Sequence, residues 1–415
     1  MAVNFYPPQN TTDKLMGEML YQRVTQQKIM KTFAQSGYCE VQTPAFEYYD
    51  LFSPEYVTLG ETDIFKFVDS DGKILALRPD LTTPIARIAA TKLKDEPLPL
   101  RLSYCADVFR SAKDRPRQSA QIGLELIGIN CAAADAEVVM TAIDAIQAAG
   151  LSDFQVEVGQ SEFFGGILED LALAPKEVEE FKTLIDHKDQ LGLSAFLSGI
   201  SIRNELRELI EKLPSLFGDM ETIDEIDPSI LNEKSRQALY NLREICRILR
   251  SCGYDRYISI DLAMVQSINY YTGVIFKAFA RGAGFSIASG GRYDNLIGNF
   301  GRALPATGCA IDLDYLISVL RRQTGLKMDK NADALVFLEL GKEAEAYEAA
   351  DRLRQNGWTA ELYLSGGGLE ACLKYAKTRG IPRVLRRTAD GSFIWMNPES
   401  REIVEFDWEQ GGGEK

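Results

Sequence analysis

The hydrophobic period of this chain changes twice, and those changes restrict its fold more than any single motif. Up to Val158, short strand-like runs alternate with isolated helices. From about Ser161 to Tyr257 helical spacing dominates, broken by Pro175, Pro214 and Pro228. Strands resume at Ser259–Met264 and Tyr271–Phe279. A strand shows every second residue to one side and a helix every third or fourth, so the period separates the two. Strands that stop for a long helical stretch and then resume describe an α+β fold, a sheet core carrying a helical insertion.

Individual elements follow from the same signals. A long helix is expected from an N-cap at Thr12 to Gly37, with Leu15, Met19, Leu20, Val24, Met30 and Phe33 on one face. A strand, Tyr38–Thr43, runs into Pro44. Asp71-Gly72 between Ile64–Asp69 and Ile74–Arg78 signals a hairpin, since the pair tolerates the backbone of a tight turn. Thr82–Leu93 reads as a helix, and Leu102–Phe109 and Ala120–Ile129 as strands about a polar loop. Ala134–Ala149 is a helix closed by Gly150, Phe154–Val158 a strand, and Ile311–Arg322 a helix. Past a polar linker, Gly325–Asn331, strands and helices alternate as in a small α/β domain. The expected organisation is a core over residues 1–325, with the insertion at about 161–257, and a second domain over 332–415.

Charge and composition narrow the function. The formal net charge is −14, which lowers the odds of gripping nucleic acid phosphates. No apolar run has the length of a membrane span, and Met1–Asn10 lacks the pattern of a secretory signal. Seven scattered cysteines without a C-x-x-C pair suggest neither a disulfide framework nor a zinc site, and fit a reducing cytoplasm. The single histidine, His187, sits in a polar stretch and reads as a surface residue, so a catalytic histidine is not expected. No metal or cofactor is expected. Gly366-Gly367-Gly368 reads as a turn before a helix, and Asp312-Leu313-Asp314 as a solvated helix face.

One constellation carries chemistry. Asp80 and Thr82 follow the hairpin, Arg110 ends a strand, and Gln121 and Glu125 are four apart on the next, hence on one face. A free amino acid needs acceptors for its ammonium, a cation for its carboxylate and a slot for its side chain. Asp80, Thr82, Gln121 and Glu125 supply the first, and the planar fork of Arg110 suits a carboxylate or a phosphate.

From Gly37-Tyr38 to Phe46-Glu47, and from Phe65 to Arg87, the sequence resembles histidyl-tRNA synthetase. Val108-Phe109-Arg110 to Gly128 is similar to motif 2 of class II synthetases. Asn269-Tyr270-Tyr271-Thr272-Gly273 resembles the histidine-specific tyrosine segment, and Ser289-Gly290-Gly291-Arg292-Tyr293-Asp294 the glycine-rich strand before motif 3. The resemblance implies a class II synthetase-like antiparallel core, a C-terminal domain similar in layout to an anticodon-binding domain, and a homodimer through the first helix and the strand into Pro44. It puts Asp80, Thr82, Arg110, Gln121, Glu125, Tyr270 and Tyr271 around bound histidine, with aspartate at 80 in place of the family's glutamate.

The departures from that family lie on the ATP side. The motif 3 arginine is Tyr315 here, and a glycine beside it is Asp312. The arginine ahead of the tyrosines is Gln266, followed by Ser267 and Asn269, and the loop Ser111–Ser119 is short. Losing two positioned cations removes several kcal/mol of transition-state stabilisation, on the order of what such groups supply. The profile is similar to that of the ATP phosphoribosyltransferase regulatory subunits. That resemblance implies a non-catalytic role. The chain would support a short catalytic subunit in the first step of histidine biosynthesis and pass on feedback inhibition by free histidine. From Asn331 to Lys415 there are 11 basic and 15 acidic residues, which makes tRNA an unlikely partner. An active histidyl-tRNA synthetase and a stand-alone histidine sensor are the alternatives.

Overall fold

The computed structural model describes residues 5–53, 64–111, 116–264, 271–325, 332–339, 341–406 and 408. The chain falls into two compact units, Met1–Lys327 and Met328–Lys415.

The first unit opens with α1 (Gly17–Gln35), β1 (Cys39–Glu40), β2 (Phe46–Tyr48) and a 3-10 turn, Tyr49–Phe52. Then come β3 (Lys66–Val68), β4 (Ile74–Leu77), α2 (Thr82–Ala90), β5 (Leu100–Phe109), β6 (Gln118–Ile127), α3 (Ala132–Ala149) and β7 (Phe154–Gln160). The helical stretch is α4 (Ser161–Leu171), α5 (Pro175–Asp186), α6 (Gln190–Ser198), α7 (Asn204–Lys212), the short strand β8 (Phe217–Gly218) and α8 (Glu233–Ser251). The unit closes with β9 (Ile258–Asp261), β10 (Val274–Ala280), β11 (Ala288–Arg292), β12 (Ala306–Asp312) and α9 (Leu313–Thr324).

Nine strands form one sheet in the order β1-β5-β6-β12-β11-β10-β7-β9-β8. Neighbours are antiparallel except for β1/β5 and β7/β9. The helical stretch thus enters between β7 and β9, which lie side by side in the sheet. The two faces differ in kind. Ile122, Leu124, Leu126, Ile311, Phe276, Val156 and Val158 are all buried, on the side where α3 and α8 pack. On the other face, α2 covers only one end, seating Leu81, Ile85 and Ala89 on Leu102, Tyr104 and Ile127. α3 ends where expected, with Gly150 at φ 106 receiving the last turn.

Three sequence expectations give way. Thr12 does not cap α1, which begins at Gly17 behind Met16 with no side-chain cap. The buried face of α1 is Gly17, Thr25, Ile29 and Phe33, whereas Leu15, Leu20 and Val24 stay exposed. Ala306–Asp312 is a strand, so Ile311 ends a sheet element and the helix starts at Leu313. The run Ala-Thr-Gly-Cys-Ala lacks the bulky residues that mark strands, and only its place between β6 and β11 makes it one.

The second unit has its own sheet and core. β13 (Ala334–Phe337), α10 (Glu343–Gln355), β14 (Ala360–Tyr363), α11 (Gly368–Arg379), β15 (Val384–Arg387), β16 (Phe393–Met396) and β17 (Ile403–Phe406) follow in order. The sheet runs β14-β13-β15-β16-β17, parallel around β13 and antiparallel beyond. Gly366, Gly367 and Gly368 all have positive φ and lead into α11, as a turn before a helix would.

Candidate functional site

The face of the large sheet that meets α2 is floored in part by small residues. Cross-strand pairing puts Gly123 opposite Ala310 and Glu125 opposite Gly308, with Gly308 in turn opposite Gly291. The missing side chains make room for specific neighbours. A Cβ on Gly123 would meet the Tyr104 hydroxyl at 2.4 Å, and one on Gly291 the Tyr271 ring at 2.7 Å. A Cβ on Gly308 would stand 1.6 Å from Glu125 Oε2, inside its van der Waals shell.

Glu125 is the centre of this floor and is 1% exposed. Its Oε1 accepts from Thr82 Oγ1 at 2.9 Å and, more weakly, from the Tyr104 hydroxyl at 3.4 Å. Its Oε2 accepts from the Tyr293 hydroxyl. Burial raises its pKa to about 7, against the lowering effect of the three hydroxyls. Asp80 sits at the start of α2, where Oδ1 accepts the Thr83 amide at 2.8 Å. Its other oxygen, Oδ2, is buried and has no hydrogen-bond partner among the described residues. Burial raises the Asp80 pKa too, opposed by the Thr83 amide, then by the Thr83 hydroxyl and by the charge of Arg110. Gln121 Oε1 is a second buried acceptor with no partner among the described residues. Two buried acceptors left open by the protein call for donors from outside it, from water or from a ligand.

Arg110 leaves β5 and donates Nε to the Pro79 carbonyl at 2.9 Å, which ties it to the segment carrying Asp80 and Thr82. That segment is anchored again by buried Arg78, whose guanidinium donates to the carbonyls of Asp107, Thr43 and Pro44. The structure thus sets Asp80, Thr82, Arg110, Gln121, Glu125 and Tyr271 along one face of the sheet, with Gln121 toward the Arg110 end of β6 and Glu125 four residues further along. Tyr270, with Gln266, Ser267 and Asn269, lies outside the described residues.

Two residues that hold Glu125 were not singled out from sequence, Tyr104 and Tyr293. Tyr293 belongs to the Gly-Gly-Arg-Tyr-Asp run, whose arginine has another task. Arg292 is 5% exposed and pairs with fully buried Asp135 of α3 at 2.8 Å and with Asp294 at 3.0 Å. A tyrosine beside a glycine-rich strand end was the available signal.

The far end of β12 is built differently from the expectation of a solvated helix face. Asp312 caps α9, accepting the Tyr315 amide at 2.9 Å. Asp314 Oδ2 accepts the Ala120 amide at 2.9 Å, and its Oδ1 pairs with Lys14 of the N-terminal segment. The Tyr315 hydroxyl accepts the amides of Gly284 and Phe285, at 2.9 and 3.1 Å, and so clasps the turn between β10 and β11.

A nine-stranded sheet with a glycine-cleared face and a helical stretch between β7 and β9 is the architecture of a histidyl-tRNA synthetase-like class II protein. The histidyl-tRNA synthetase family model matches residues 11–316. A histidyl-tRNA synthetase from Nostoc sp. PCC 7120 shares the fold with a TM-score of 0.83 at 22% identity, over 99% of this chain and 98% of that one. A crystal structure from Bacillus halodurans C, described as an ATP phosphoribosyltransferase regulatory subunit/histidyl-tRNA synthetase, matches with a TM-score of 0.81 at 29% identity, over 90% and 97%. The ATP phosphoribosyltransferase regulatory subunit of Acetivibrio thermocellus is 42% identical, over 96% of both chains. That of Ruminiclostridium cellulolyticum is 36% identical, over 92% of this chain and 91% of its own. The chain belongs to this family of ATP phosphoribosyltransferase regulatory subunits.

Proposed function

We propose that this chain binds free histidine on the floor around Glu125 and, without charging tRNA, regulates a separate catalytic subunit of ATP phosphoribosyltransferase. The observation that carries the binding assignment is the pair of idle buried acceptors, Asp80 Oδ2 and Gln121 Oε1, beside a buried Glu125 already held by Thr82, Tyr104 and Tyr293. An α-ammonium supplies donors to the first two, and an imidazole N–H a donor to the third. Arg110 is then the cation for the ligand carboxylate, and Tyr270 and Tyr271 wall the imidazole.

The non-catalytic part rests on Tyr315 and Asp312. Where the synthetases carry a phosphate-holding arginine, a hydroxyl is spent on two backbone amides and a carboxylate caps the helix. A carboxylate at this place repels polyphosphate. In the proposed role the chain works in the cytoplasm at the first step of histidine biosynthesis, and histidine favours the inhibited arrangement of the complex by binding it more tightly. A homodimer through α1 is part of this proposal, and the apolar side chains left exposed there, Leu20 and Val24, support it. The C-terminal unit takes the place of an anticodon-binding domain.

Calorimetry of the full chain with L-histidine tests the pocket, and no heat at millimolar histidine would refute it. Histidine-dependent exchange of pyrophosphate into ATP would instead establish a working synthetase.

A further inference from the structure

The helical stretch joins the large sheet beside the ligand segment. β7 ends at Gln160 and α4 begins at Ser161, with no residue between them. Gln160 pairs with Val274, the first residue of β10, so Tyr271-Thr272-Gly273 runs past the first turn of α4. The Ser161 amide donates to the Gly273 carbonyl at 2.9 Å. Its hydroxyl donates to the same carbonyl at 2.9 Å and, more weakly, to that of Tyr271 at 3.4 Å. A hydroxyl has one proton, so the two carbonyls share it.

Thr272, between those two residues, is held from the opposite side. Its amide donates to the Arg292 carbonyl at 2.8 Å, and its Oγ1 accepts the Asp294 amide at 2.9 Å. Gly273 lets the segment approach closely, since a Cβ there would meet the Arg292 side chain at 2.9 Å. The Tyr271 ring lies over Gly291, in the space a side chain would fill. A peptide is planar, so the direction of its carbonyl is tied to where the adjoining side chain points. The Ser161 hydroxyl therefore bears on the placement of the Tyr271 ring.

α4 is itself fastened. Gln160 Oε1 accepts the Glu162 amide at 3.2 Å, and its Nε2 donates to Asn241 Oδ1 of α8 at 3.0 Å. Further along, Asn232 Nδ2 donates to the Gly166 carbonyl at 2.7 Å, and the Ser235 hydroxyl to the Phe163 carbonyl at 2.8 Å. A Cβ on Gly166 would collide with Ser235 Oγ, so the two helices touch at backbone distance. Ser161 thus reaches the Tyr271 peptide from a base that does not shift without α8.

We propose that Ser161 is a positioning residue: its hydroxyl sets the Tyr271 ring against bound histidine and so makes the helical stretch part of the histidine site. This rests on the reading of the floor around Glu125 as that site. Calorimetry of the full chain with L-histidine tests it. Ser161→Ala keeps the amide bond to Gly273 and should lower histidine affinity roughly three- to tenfold, the scale of one hydrogen bond. Ser161→Thr keeps the hydroxyl and should bind within about twofold of the unsubstituted chain. In a chain already carrying Tyr271→Leu, Ser161→Ala should change affinity by less than about twofold, because no ring remains to be placed. Equal losses with and without the ring would make Ser161 merely structural and overturn the proposal, as would an unchanged affinity in Ser161→Ala. Should Tyr271→Leu bind too weakly to measure, equal affinities in Ser161→Ala and Ser161→Thr refute the role of the hydroxyl. No heat from the unsubstituted chain refutes the histidine site itself, and the place of Ser161 in it.

Discussion

Gly308 of β12 lies directly opposite Glu125 of β6, and the space a Cβ would fill at 308 is taken by the Glu125 carboxylate. Position 308 is thus part of the site although it has no side chain. Gly308→Ala should displace Glu125 from Tyr293 and Thr82 and lower histidine affinity at least tenfold, about 1.4 kcal/mol. Calorimetry reads the affinity, and an unaltered far-UV spectrum separates this from unfolding.

Glu125 gives a pH dependence of known sign. Its pKa stands at about 7 against an ordinary 4.5, so its contribution to folding is full below the ordinary value and is lost as pH rises through 7. A ligand N–H donor favours the ionised form, so binding expels a proton and affinity rises with pH between roughly 6 and 8. Heats measured in two buffers of different ionisation enthalpy should reveal that proton. Glu125→Gln should abolish the difference as well as weaken binding.

Tyr315 clasps the β10–β11 turn through its hydroxyl. Tyr315→Phe leaves the exposed amides of Gly284 and Phe285 to water and should cost no more than about 0.5–1.5 kcal/mol in urea unfolding. Histidine affinity should stay unchanged; a large loss would place Tyr315 in the pocket.

The pair Arg292–Asp135 is buried at both ends. Arg292→Ala strands the Asp135 carboxylate in the core and should destabilise the first unit by about 3–5 kcal/mol. The thermal transition reads this, and the double variant with Asp135→Asn should recover part of it.

Arg87 of α2 pairs with Glu47 of β2 at 2.6 Å and so fastens the segment that follows Asp80 and Thr82 to that strand. Arg87→Ala should keep histidine binding and assembly with the catalytic subunit but blunt inhibition by histidine, measured as a higher half-inhibitory concentration. Undiminished inhibition would remove this ion pair from the route.

Much of this was legible in sequence because it is local. The hairpin flanking Asp71-Gly72, the helix ending at Gly150 and the shared face of Gln121 and Glu125 depend only on neighbours within a few residues. β12 was not legible, since its small residues are chosen by strands far away in the chain. Tyr104 and Tyr293 escaped for the same reason: each reaches Glu125 from another element, Tyr104 across the gap left at Gly123. α1 misled because its apolar residues serve two surfaces, and Leu20 and Val24 point away from the core that buries Ile29 and Phe33.

The end of β12 also bears on how freely this chain can change there. Tyr315→Arg would open the β10–β11 clasp, and Asp312→Gly would uncap α9. Each residue is fastened into the fold independently of any ligand, so the two positions are held by architecture, and a substitution at either is felt first as a loosened turn or a frayed helix.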